Sequence, residues 1–206
     1  MSHRWRRIAA ALAIGLFWGW QGAADAGEAI VGQLAPDFTL TDATGQHRSL
    51  AEFRGTFVVL EWFNNDCPFV GKQYGSGAMQ RLQADYAARG VTWLTIISSA
   101  PGKQGHVSPE EARALRARRG SHQTAILLDA DGTVGRRYGA KTTPHLFIID
   151  PAGAVIYAGA IDDIPSTDQA DIPPATNYVQ RALDEALAGK PVSIAETNPY
   201  GCSVKY

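Results

Sequence analysis

The chain is short of cysteine, of net charge and of long apolar runs. Its 206 residues hold two cysteines, Cys67 and Cys202, which excludes a disulfide-rich scaffold. Neither has a partner at C-x-x-C or C-x-x-x-C spacing. The formal net charge of -1 carries no polybasic signal, so nucleic acid is not an expected partner. The apolar stretch Ile8 to Trp20 falls short of the ~20 residues a membrane helix needs. There is no P-loop, no dinucleotide glycine signature and no G-x-S-x-G elbow, and no cofactor is expected. Repeats and low-complexity tracts are also missing.

What is present begins with a leader pattern. Arg4, Arg6 and Arg7 precede the apolar stretch, and Ala24-Asp25-Ala26 follows it. That reads as a signal peptide over 1–26, cleaved before Gly27; an uncleaved anchor is the alternative. The expected location is periplasmic or secreted, with no stable membrane span after cleavage, and disulfides can persist there. One domain is expected over 27–190, followed by a C-terminal tail, 191–206, that carries Cys202.

Along the domain, Phe38–Leu40 and Arg48–Leu50 flank the turn residues Asp42-Ala43-Thr44-Gly45, a hairpin pattern. Thr56 to Trp62 and Val91 to Ile97 are apolar without alternation, as in strands buried on both faces. Pro68 to Ala88 has helical spacing at Met79, Leu82 and Tyr86, weakened early by Gly71, Gly75 and Gly77. Ser108-Pro109-Glu110-Glu111 opens a helix with a capping box. The arginines at 113, 116, 118 and 119 read as its solvated face, with an anion patch as the alternative. Further strands are expected at Ala125–Leu128, His145–Ile149 and Val155–Ala158, and a last helix at Thr176–Ala188. The acidic stretch 162–174 reads as a solvated loop or a lid. The fold class is α/β: a central mixed sheet flanked by helices, with an N-terminal hairpin.

Cys67 lies where the apolar run Val58–Phe63 gives way to Asn64-Asn65-Asp66 and then Pro68. A thiol at a strand-to-helix junction meets backbone N–H groups and the helix dipole, both of which favour thiolate. The order Ala35-Pro36-Asp37-Phe38, Phe53-Arg54-Gly55, Val58–Phe63, Cys67, Thr143-Pro144 and Phe147–Gly153 resembles the redoxin branch of the thioredoxin superfamily. The resemblance spans about residues 30–190 and implies a thioredoxin-like fold with a cis-Pro144 facing the cysteine. Thioredoxin-like reductases carry C-x-x-C, whose second position is Val70 here. Peroxiredoxins carry their peroxidatic cysteine at that same position, with Thr and Pro where this chain has Cys67 and Phe63. The chain thus looks like a peroxiredoxin-like, AhpC-TSA-related subgroup that keeps the first cysteine only, and Gly201–Tyr206 is similar to that subgroup's ending.

The resemblance implies thiol-disulfide exchange through Cys67. It also implies a buried proton acceptor at Glu61, the rival reading being an exposed strand-end carboxylate. Thr143, Pro68 and Phe69 would line the substrate side. Exchange needs a resolving thiol, and Cys202 is the one other thiol in the chain. A reversible pair, a structural bond and two independent thiols all remain open from sequence. Partners would be protein or small-molecule thiols and disulfides, with a membrane electron donor among them. Peroxide reduction is a second reading. Others are a soft copper site from Cys67, His145 and Cys202 and a non-catalytic docking module around Trp62 and Phe69.

Overall fold

The computed structural model describes residues 28–206, and the leader expected over 1–26 lies outside them. A hairpin opens the sheet: Thr39–Asp42 (β1) pairs antiparallel with His47–Ser49 (β2). The Asp42 carboxylate ties the turn by accepting from the Thr44 N–H (2.8 Å), the Thr44 hydroxyl (2.6 Å) and the Gln46 N–H (3.0 Å). Then come Val58–Trp62 (β3), Pro68–Gly75 (α1), Ala78–Ala87 (α2), Thr92–Ile97 (β4), Pro109–Arg119 (α3) and Ala125–Leu128 (β5). Thr133–Arg137 (α4), Thr142–Thr143 (β6), His145–Ile149 (β7), Val155–Gly159 (β8), Tyr178–Leu187 (α5) and Cys202–Ser203 (β9) complete the chain.

Seven strands form one mixed sheet in the order β2-β1-β5-β4-β3-β7-β8. β3 is central, parallel to β4 and antiparallel to β7. Covered on both faces, its five residues are all buried, which is why its sequence does not alternate. The side chains still do. Val58, Leu60 and Trp62 join the core beside Phe38, Tyr138 and Phe147, whereas Val59 and Phe63 join the core beneath α1, α2 and α5. Glu61 shares the parity of Val59 and Phe63 and therefore points into that second core.

The sequence predicts one helix over 68–88, and the structure holds two. Gly77, at φ 75°, sits in the left-handed region and serves as the N-cap of α2, a conformation that costs glycine little. α3 carries the expected capping box: the Ser108 hydroxyl accepts from the Glu111 N–H (3.2 Å), and the Glu111 carboxylate accepts from the Ser108 N–H (2.7 Å).

One expectation needs correction. The acidic stretch 162–174 is not simply solvated, because Asp162 is 4% exposed. Its carboxylate accepts from Gln73 Nε2 (2.7 Å), the Ile164 N–H (3.0 Å) and the Tyr200 hydroxyl, and it pairs with the buried Lys72 ammonium at 3.5 Å. The C-terminal tail, 191–206, is laid along the domain. It runs beside β8 through Ala158–Ala195 and Thr197–Ala158 backbone bonds. It then crosses to β6, where β9 pairs antiparallel with Thr142 and Thr143.

Candidate active site

The site sits where β3 ends. The Phe63 N–H still bonds to β4, donating to the Ile96 carbonyl (2.9 Å), and the chain then turns. Asn64 Oδ1 accepts from the Asp66 N–H (2.9 Å), and the Asn64 carbonyl accepts from the Cys67 N–H (3.2 Å). An Asn that bonds to backbone two residues on is a local turn former. The Arg119 guanidinium, half-buried, clamps the turn from α3 by donating to Asn65 Oδ1 through Nη2 (2.8 Å) and Nε (3.1 Å). It also lies over the rings of Phe63 and Tyr74, at 5.7 and 5.1 Å. Arg113, Arg116 and Arg118 are exposed. Within a run read from sequence as one solvated face, Arg119 thus has a different task. Nothing in the local spacing distinguishes it; only the packing of α3 against the turn does.

Cys67 is the N-cap of α1 and Pro68 follows in its first turn. Pro68 is exposed, and Phe69 packs edge-on to Tyr200 at 5.7 Å between ring centroids. Val70 is buried at 1% exposure. The Thr143–Pro144 peptide is cis, and the Cys67 thiol donates to the Thr143 carbonyl at 3.0 Å. Cys67 is itself only 1% exposed. Cys202 lies opposite Thr143 in the β6–β9 register, and both cysteines are free thiols.

Burial works against charge on Cys67. Hydrogen bonding from the Cys202 thiol, from Thr143 and from the backbone N–H groups of Val70 and Cys202 outweighs it and lowers the Cys67 pKa. The Cys67 side chain accepts no N-cap bond, and its proton goes to the Thr143 carbonyl; the backbone amides of Val70 and Cys202 favour the thiolate. For Cys202 the direction is opposite, with burial first and the neighbouring Cys67 second in raising its pKa. The same contacts therefore favour the thiolate at Cys67 over the thiolate at Cys202.

Glu61 is fully buried and has no hydrogen bond to Cys67. Its carboxylate accepts from the Tyr74 hydroxyl (2.9 Å), Trp93 Nε1 (2.8 Å), the Thr95 hydroxyl (3.3 Å) and Gln83 Nε2 (3.4 Å). Burial raises its pKa to about 7 even though these donors favour the charged form. It is thus a carboxyl poised to exchange a proton near neutrality, under the core cluster that also holds Cys67, Phe63 and Tyr74, where the rings of Phe63 and Tyr74 meet at 5.3 Å.

A stability prediction follows. The folded protein holds this proton more tightly than the unfolded chain, so the stability Glu61 contributes is fully present below the ordinary carboxyl pKa. It falls as pH rises from there to about 7, then levels. The expected loss is about 3 kcal/mol. Urea denaturation across pH 4–8 on the wild type and on Glu61→Gln checks this: the stability difference between the two should change by that amount across the window. A constant difference would show that Glu61 is ionised in the folded protein throughout.

His145, the residue after Pro144, is buried and kept neutral. Burial first, and Lys141 second, lower its pKa to about 3, and its Nδ1 accepts from the Lys141 N–H at 3.3 Å. The candidate copper set does not assemble. Among the described residues no three His, Cys, Asp or Glu side chains are gathered as metal ligands. Trp62 belongs to the core, at 0% exposure, and offers no docking surface. Among the described residues no helix is long and apolar enough to cross a membrane.

Comparison with known proteins bears on the family and the fold. Residues 31–158 match the AhpC/TSA family. The thiol-disulfide oxidoreductase ResA of Geobacillus kaustophilus is 30% identical over 125 residues. That covers 61% of this chain and 66% of ResA, so the chain spans just under two thirds of that relative. An uncharacterized conserved protein from Geobacillus kaustophilus has a crystal structure with a TM-score of 0.73 at 28% identity, covering 86% of this chain and 92% of that one. A putative thiol:disulfide interchange protein DsbE from Chlorobium tepidum has a TM-score of 0.50 at 26% identity, over 64% of this chain and 85% of that one. The fold is thioredoxin-like.

Proposed function

The chain belongs to the AhpC/TSA family, and from that premise we propose that it is a thiol-disulfide oxidoreductase using Cys67 as nucleophile and Cys202 as resolving thiol. The observation that carries this reading is the β6–β9 pairing. It brings a cysteine distant in sequence to the residue whose carbonyl touches the Cys67 sulfur. The similarity to ResA supports the same substrate class, disulfides and thiols.

The step runs as follows. The Cys67 thiolate attacks one sulfur of a partner disulfide, forms a mixed disulfide and releases the other partner sulfur as thiolate. The Cys202 thiol, losing its proton, attacks the Cys67 sulfur and releases the partner's second thiolate. Two electrons pass to the partner and a Cys67–Cys202 disulfide remains. An external thiol donor, protein, small-molecule or membrane-bound, restores the pair; in reverse the same steps oxidise a partner. Thr143 and Pro144 form the wall beside the sulfur, with Pro68 and Phe69 at its rim. Glu61 acts at a distance, through Tyr74, as a proton reservoir. The reading suits an exported protein, in keeping with the leader pattern at Arg4–Ala26.

The test is a trapping experiment. Against glutathione disulfide, the wild type is expected to yield a Cys67–Cys202 linked peptide pair by mass spectrometry. Cys202→Ser should instead accumulate glutathione at Cys67, because nothing displaces it. Two thiols that stay free in the wild type at every glutathione ratio would refute the exchange reading.

A further inference from the structure

Cys67 is 1% exposed, and among what packs on it is a segment of its own chain, whose Cys202 bonds to it. Residues 199–206 run along the outer edge of β6. They pair Cys202 with Thr143 and Ser203 with Thr142, and the Thr143 hydroxyl donates to the Cys202 carbonyl at 3.5 Å. The segment is held at both ends. Upstream, the Tyr200 hydroxyl bonds to Asp162 and its ring meets Phe69. Downstream, the Val204 N–H donates to the Lys141 carbonyl (3.1 Å) and the Lys205 carbonyl accepts from the Ala100 N–H (2.8 Å). The Tyr206 hydroxyl donates to the Ala140 carbonyl (2.9 Å), and the Arg136 guanidinium lies 4.5 Å from its ring centroid. The ladder itself has only two residue pairs, Ser203 is exposed, and Tyr200 and Tyr206 are half-buried. It is a short strand on a surface edge, fastened by a few replaceable points, and such elements open well below the cost of global unfolding.

β6 reads this strand through backbone, which any extended peptide can supply. One position is restrictive. A Cβ on Gly201 would lie 2.1 Å from the Thr143 carbonyl oxygen, and Gly201 has φ 138°, so the residue before the cysteine lies where no side chain fits. Attack on an external disulfide needs a sulfur to reach the Cys67 sulfur, and the side facing β6 is filled by Cys202.

We propose that residues 199–206 are a resident strand that closes over Cys67, and that an extended, glycine-cysteine-bearing peptide of a partner protein reaches the sulfur by exchanging with that strand on β6. The substrate class rests on the thiol-exchange reading above; the closure does not.

The reduced full-length chain is treated with iodoacetamide, and alkylation of Cys67 is followed by peptide mass spectrometry. Three proteins are compared: wild type, Gly201→Val, which sets a side chain against the Thr143 carbonyl, and Tyr206→Ala, which removes the downstream anchor. Cys67 in both variants is expected to react at least ~10-fold faster than in wild type, following the larger open population. A free peptide copying residues 198–206, with serine in place of cysteine, should then slow the accelerated variant again. The same peptide with valine in place of its glycine should not. Equal rates in all three proteins overturn the proposal, as does a peptide that gives no protection. Acceleration in only one variant leaves the peptide to decide, by the same criterion. If alkylation responds as expected but no variant exchanges with glutathione disulfide, the strand closes over Cys67 and the exchange reading fails. If the wild type exchanges while alkylation never moves, exchange stands and the closure fails.

Discussion

Cys67→Ser is expected to lower disulfide reduction by on the order of 10³-fold or more, down to the uncatalysed background. The reason is the leaving and attacking chemistry of sulfur rather than any loss of fold. Serine is close in size to the side chain it replaces at this buried position, and its hydroxyl can donate to the Thr143 carbonyl as the thiol does. Its oxygen does not ionise near neutral pH, and the amides that lower the Cys67 pKa have no anion to stabilise. Val70 cannot substitute, being apolar and buried. The check is a reduction assay with a disulfide protein and an excess of small-molecule dithiol, run beside a thermal melt. Activity should vanish with the melting temperature nearly unchanged. Cys202→Ser forms the comparison: it should retain the first half-reaction at Cys67 and stall at the mixed disulfide. Activity retained in Cys67→Ser would place the chemistry elsewhere and remove the basis of the functional reading.

The second large effect is on stability. Asp162→Ala leaves the Lys72 ammonium, whose side chain is 0% exposed, with the Ile164 carbonyl (2.9 Å) as its remaining partner. It also strips acceptors from Gln73 and Tyr200. Removing one member of a buried ion pair costs about 3–5 kcal/mol, because the other charge stays desolvated and uncompensated. For a domain of this size, that corresponds to a fall in melting temperature of roughly 6–20 °C. The double variant Lys72→Met/Asp162→Ala should recover much of the loss, since the methionine needs no counter-charge. Calorimetry of these two variants and of Lys72→Met alone measures the coupling. A loss below about 1 kcal/mol would mean that water reaches the pair. The same substitution frees Tyr200, so it should also speed alkylation of Cys67.

That pair shows where the sequence stops being legible. Asp162 sits among Asp163, Asp168 and Asp171 and three prolines, and local composition describes all of these as solvent-facing. Only the packing of α1 against this loop decides that Lys72 and Asp162 are both interior. Arg119 is a second case. Four arginines crowd the last turns of α3, and the one that clamps the turn before Cys67 carries no local mark. The break at Gly77 is intermediate: three glycines signal a weak helix, but the point of rupture follows from the left-handed residue that starts α2.

By itself the sequence determined the strands, because runs such as Val58–Leu60 are apolar without alternation and fit only a sheet covered on both faces. It determined the capping of α3 through Ser108 and Glu111, and it set a thiol at a strand-to-helix junction. These are short-range matters, governed by dihedral preference, periodicity and capping within a few residues. Whether Cys202 meets Cys67 is not such a matter. It depends on a turn at Gly201 tight enough to exclude a side chain, on the edge that β6 leaves open beside β7, and on anchors at Asp162, Ala100 and Ala140 contributed by three separate stretches of chain. Those groups meet only when the sheet and its helices have formed. The place of Cys67 was therefore written locally, while the approach of Cys202, the strand beside it and the lowering of its pKa were decided by tertiary structure.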